Sequence, residues 1–206
     1  MHVKRSVHAS MPTLPELPDL VERIGDSRLA VGLVPVYDRL SRILVGVVGE
    51  DSPLRGNGLG HALHPVLSDL PLGCWTSATI LDLIGLKRSR PAATTLIATG
   101  LVAAVPTAAA GLADFHEIHG RDRRIAAVHA AGNSAGVVCY VASLRARLRG
   151  RHYRGVVDAL AGATLTAGAG YLGGHLALNQ GLGARRPTPP DLEHAKHVDP
   201  AGTSAP

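Results

Sequence analysis

Residues 91–113 read PAATTLIATGLVAAVPTAAAGLA, and residues 125–144 read IAAVHAAGNSAGVVCYVASL. With His129 neutral, neither stretch carries a charge. Each is about twenty residues long, which at about 1.5 Å per helical residue crosses a hydrocarbon core of about 30 Å. A soluble bundle helix needs a polar face toward water, and these segments hardly have one. Working outward, residues 159–178 hold no charge apart from His175, while residues 65–86 are weaker, interrupted by Asp69 and Asp82. Four such segments on short polar links predict an all-α integral membrane four-helix bundle, with spans at about 64–86, 91–113, 125–147 and 155–178. The competing fold is a soluble helical bundle rich in Ala and Gly.

Charge sets the orientation. The first link holds Lys87, Arg88 and Arg90, and the third holds Arg145, Arg147, Arg149, Arg151 and Arg154, with no acid before Asp158. The second link mixes Glu117 and Asp122 with Arg121, Arg123 and Arg124. Basic residues in short links stay cytoplasmic. The expectation is a multi-pass cell-membrane protein with both termini and the 114–124 link outside. The net charge of +5 then comes from topology, and 3% aromatic residues leave little to stack on bases, which excludes a nucleic-acid binder.

Residues 1–55 lie ahead of the bundle. Lys4 and Arg5 are followed by Pro12, Pro15 and Pro18 and not by an apolar core, so no secretory signal is expected. Residues 14–26 predict an acidic helix. Residues 28–49 mix apolar runs with Asp38, Arg39 and Arg42, which suits an amphipathic helix at the membrane interface or a cytosolic cap. The transmembrane domain is expected over 56–182, and residues 183–206, rich in Pro and polar side chains, as a disordered tail. No internal repeat stands out.

Threading the spans up and down brings ionisable side chains to one end. His61 and His64 open the first span, Asp114 closes the second, His129 lies one to two turns into the third, and His175 sits near the end of the fourth. Such groups at membrane depth are costly and mark function by default. Imidazole is the commonest metal ligand and an axial ligand of haem iron, and a helix-bundle interior is a natural place for either. His61, His64, His129 and His175 are therefore the candidate cofactor ligands, and His64, His129 and His175 the candidate metal ligands. Asn133, one turn below His129, and the carboxylates of Asp69 and Asp114 are candidates to orient them. Small and polar residues form helix-contact stripes, among them Thr164, Gly168, Tyr171 and His175 in the fourth span. There is no HExxH and no CxxCH, and Cys74 and Cys139 stand alone in separate spans. Ser68 near Asp69 and His64 lacks a GxSxG setting, so hydrolase chemistry finds no support. Asp82 is expected to pair with the nearby Lys87 and Arg88.

The run Gly60-His61-Ala62-Leu63-His64-Pro65-Val66-Leu67-Ser68-Asp69-Leu70-Pro71-Leu72-Gly73, with Trp75 and Asp82 after it, resembles the opening of a bacterial membrane family known as domain of unknown function 2231. Gly111-Leu112-Ala113-Asp114-Phe115, His129 with Asn133, and Gly170-Tyr171-Leu172-Gly173-Gly174-His175 continue the likeness over roughly residues 55–182. The resemblance implies a four-helix integral membrane protein. Some relatives look like fusions to a Rieske-type iron–sulfur domain, which implies redox work. The expectation is a membrane protein that binds b-type haem through histidines near the outer face and passes electrons to or from an iron–sulfur partner or quinone. The alternatives are a non-catalytic anchor whose histidines only bond helices together, and a copper- or zinc-binding membrane protein. Partners on this reading are the lipid bilayer, a separate Rieske-type protein or a quinone, and further copies of the chain.

Overall fold

A computed structural model describes residues 16–49, 52–55 and 62–178. His61, the glycine-rich lead before it, and the tail expected to be disordered lie outside the described residues. Within them the fold is all-helical. The α-helices are α1 (Glu16–Gly25), α2 (Arg28–Val48), α3 (Leu63–Ile84), α4 (Arg90–Phe115), α5 (Gly120–Leu148) and α6 (His152–Leu178), with short 3₁₀ turns at Pro53–Arg55 and Lys87–Ser89.

Helix α3 starts from an extended Ala62 and has Pro65 in its first turn, where a missing N–H does no harm. It stops at Gly85, whose φ of 72° is left-handed and closes the helix with a bond from its N–H to the Asp82 carbonyl. Pro71 sits inside the helix and has no N–H for the carbonyl of Leu67. That carbonyl lies 3.1 Å from Thr107 Oγ1 of α4, whose single proton it shares with the Ala103 carbonyl at 2.8 Å. A neighbouring helix thus satisfies a group that lipid could not.

Helices α3 and α4 form one tight antiparallel hairpin, and α5 and α6 form a second. The hairpins touch each other more lightly, through α4 with α5 and α3 with α6. The buried positions are mostly small: Ala78, Ala93, Ala103, Ala110, Ala113, Ala127, Ala159 and Ala169. Large aliphatic side chains point outward, with Val102, Val105, Val138 and Leu83 each at least two-thirds exposed. Close backbone approach through small residues, with branched side chains outside, is the packing expected of helices in lipid. Among the described residues, two helices are long and apolar enough to cross a membrane, Lys87–Phe115 and Gly120–Leu148. The other two fall short because α3 carries Asp69 and Asp82, and α6 is diluted by glycine, threonine and His175.

Helices α1 and α2 pack on α5 and α4 at the end that carries the α4–α5 link. Ala30, Ser41 and Val45 of α2 face inward, while Leu29, Val31, Val36 and Ile43 are exposed. Val21, with Ile24, Leu33 and Tyr37, packs into an apolar cluster with Phe115, Ile125, Leu172 and Leu176, and ion pairs add to it: Arg124 and Arg121 both reach Asp26, and Arg123 pairs with Asp38. The hydrogen bonds and charge of Arg124 and Arg121 hold the Asp26 carboxyl below its ordinary value, against the opposing effect of burial. Tyr37 adds a 3.2 Å hydrogen bond between its hydroxyl and that of Ser134.

Candidate functional site: two clasped histidines

The Cβ of a helical residue leans over the preceding turn, so glycine at position i uncovers the carbonyl of residue i−4. Gly111 of α4 and Gly173 of α6 both do this. Through the first gap, Nδ1–H of His64 donates to the Thr107 carbonyl at 2.9 Å. Through the second, Nδ1–H of His129 donates to the Ala169 carbonyl at 2.7 Å. A methyl group at 111 would lie 2.7 Å from His64 Nδ1, and one at 173 would lie 2.6 Å from His129 Cε1. Each imidazole therefore fills its glycine notch.

The two rings also meet. Their centroids are 6.1 Å apart and their planes nearly perpendicular, at 88°. Because a carbonyl can only accept, each ring carries a proton on Nδ1, and in the neutral ring that leaves the lone pair on Nε2. This is the tautomer of a metal-ligating histidine whose other nitrogen is held by a backbone carbonyl. The Asn133 side-chain amide lies against the His129 ring, with Nδ2 3.2 Å from Nε2, and also donates to the His129 carbonyl at 3.1 Å.

The remaining candidates are placed differently. His175 lies two residues beyond Gly173, about 200° around α6 from the notch that holds His129. Asp69 is exposed, and its neighbour Ser68 donates to the His64 carbonyl at 2.8 Å. Asp114 ends α4 less than one turn past Gly111. The orienting bonds to both Nδ1 atoms thus come from the carbonyls of Thr107 and Ala169. Among the described residues no three His, Cys, Asp or Glu side chains gather as an ion site. The inward stripe of α6 also differs from the expected one. Gly162, Thr166, Ala169 and Gly173 face the bundle, whereas Thr164, Gly168 and Tyr171 are exposed.

Below the histidines the same pattern recurs. Trp75 follows His64 at the spacing at which Tyr140 follows His129, and each has a cysteine just before it, Cys74 and Cys139. The Trp75 ring fills the notch of Gly100 and the Tyr140 ring that of Gly162. The two rings stack, with centroids 4.0 Å apart and planes 15° off parallel. Gly100 precedes Gly111 as Gly162 precedes Gly173. The two hairpins thus share one seating plan, a histidine and an aromatic ring each set in a glycine notch of the partner helix. Sequence reading missed this repeat, although His64-Cys74-Trp75 against His129-Cys139-Tyr140 carries it.

At the far end, Asp82 of α3 pairs with Arg147 of α5, and the two side chains are 2% and 1% exposed. The expected partners Lys87 and Arg88 are exposed and outside this contact. Arg147 also donates to Ser143 Oγ at 3.1 Å, and Ser143 Oγ donates to the Gly155 carbonyl at 2.6 Å.

Neither a curated protein nor a solved structure matches this chain. Residues 60–186, which include both hairpins, match the family model described as "Predicted membrane protein (DUF2231)", and the chain belongs to that family.

Proposed function

We propose that this is a four-span membrane redox protein in which His64 and His129 ligate a b-type haem iron, exchanging electrons with a separate iron–sulfur protein or a quinone. Both termini and the His pair lie toward the outside, a placement supported by the cationic links at 87–90 and 145–154.

The observation that carries this reading is the pair of rings 6.1 Å apart, each fixed by its Nδ1 and each with its lone pair on Nε2. Two imidazoles that meet with Nδ1 already engaged are a donor set that haem iron would take through Nε2. The donor number also fits. A structural zinc site takes four protein ligands and a catalytic one three. A b-type haem would be held by His64 and His129, the two imidazoles that meet among the described residues. When bound, haem supplies one-electron transfer. The chain's own part is to hold two neutral imidazoles, keep their protons on the carbonyls of Thr107 and Ala169, and exclude water with α1, α2 and the alanine-lined core. Asn133 must swing aside from His129 Nε2, which its bond to the His129 carbonyl allows.

A second reading is favoured by the same clasps: each histidine fully fills its notch and bonds the neighbouring helix, which suffices for a non-catalytic anchor. Visible spectra of detergent-purified protein from haem-replete cells separate the two. The haem reading expects a Soret band that shifts on dithionite reduction and is lost in both His64→Ala and His129→Ala. A colourless protein in which these variants only lower the melting temperature overturns it in favour of the anchor.

A further inference from the structure

One face of α5 changes character along its length. Val138, Val141 and Ala142 are exposed and aliphatic, and Arg145 and Arg149 follow on the same face at helical spacing. Where α5 turns into α6, Arg151 and Arg154 close around this face. The result is an open cavity of about 450 Å³ with an aliphatic wall running into a cationic end. Four arginines line it against one carboxylate, Asp158, which is already engaged by Arg154 at 3.0 Å. Among the described residues, Arg145, Arg149 and Arg151 have no anionic partner. Their guanidinium groups are therefore available for the bidentate contacts that phosphate oxygens accept.

From this juxtaposition we infer that the cavity binds the headgroup of an anionic phospholipid, with an acyl chain lying along Val138 and Val141. The charge is complementary to a phosphodiester, and the aliphatic wall continues in the direction an acyl chain takes from its headgroup. Basic pockets between helices at the membrane surface hold such headgroups. A soluble phosphate shares the headgroup chemistry but has nothing to place on the valines.

The test uses the full chain in detergent, titrated separately with phosphatidylglycerol, phosphatidylcholine and inorganic phosphate while the helical circular dichroism is followed through thermal unfolding. Phosphatidylglycerol is expected to raise the melting temperature saturably, with no comparable shift from phosphatidylcholine or phosphate. The R145Q/R149Q/R151Q variant, whose changes fall on exposed side chains, is expected to lose that shift. The single R149Q is expected to need several-fold more lipid to reach it. K87Q/R88Q, which removes as exposed a charge pair from the same end but outside the cavity, is expected to keep it. An equal shift with phosphatidylcholine, a full shift with phosphate alone, an unchanged response in the triple variant, or an equal loss in K87Q/R88Q would each overturn the inference.

Discussion

Gly111 and Gly173 act through what they lack. Each leaves a carbonyl one turn below it open to a second hydrogen bond and leaves space for a five-membered ring. An alanine at either position would have to push the imidazole out of its notch or part the helices. We expect Gly111→Ala and Gly173→Ala to destabilise the protein by about 1–3 kcal/mol, as overpacking does, measured by thermal unfolding in detergent. Gly168→Ala, on an exposed face with open space around it, should leave stability unchanged or slightly raised. In haem-replete protein the two notch variants should also lose the reducible Soret band, since the ring can no longer present Nε2 correctly. The histidines were legible because ionisable groups inside apolar segments stand out in one dimension. The glycines that seat them were not, because a notch has meaning only once the neighbouring helix and its rotation are known. The same gap misplaced the inward face of α6, where Gly162 and Gly173 matter more than Gly168 and Tyr171.

Between elements, the firmest polar tie is Asp82 with Arg147, which joins α3 to α5 across the hairpins. Removing one partner of a buried pair leaves an uncompensated charge and costs about 3–5 kcal/mol. Arg147→Met should therefore lower stability strongly, while Arg147→Met combined with Asp82→Leu should recover most of the loss. Thermal melts of the two single variants and the double variant check this, and a double variant no better than Arg147→Met contradicts it. From sequence, Asp82 is assigned to Lys87 and Arg88 because they are its nearest cations along the chain. The structure gives it Arg147, whose alternation with Arg145 and Arg149 hides that it alone turns inward. The helices themselves were easier to read. The observed α3 to α6 follow the four apolar segments to within a few residues, and α1 and α2 follow the patterns at 14–26 and 28–49. Length and hydropathy carry that information locally, whereas pairing between helices does not.

At the scale of the molecule, two helical hairpins share one seating plan for a histidine and an aromatic ring. On the proposed four-span topology, both hairpins enter the bilayer from the same side. Orientation can be read chemically. A cysteine replacing Glu117 in the α4–α5 link, in a background without Cys74 and Cys139, should react with a membrane-impermeant maleimide on intact cells. A cysteine replacing Gly150 in the α5–α6 link should react only after permeabilisation. The reverse pattern would invert the proposed topology. The shared plan escaped sequence reading because so few positions carry it: a histidine, a cysteine, an aromatic ring and two glycines in each hairpin. The glycines among them are positions where packing leaves little room for a substitute.

Because Trp75 and Tyr140 occupy equivalent seats, as do His64 and His129, nearly every experiment on one half has its own internal control in the other. A substitution that matters for the shared architecture should act alike in both hairpins. One that acts in a single hairpin marks a task the two do not share.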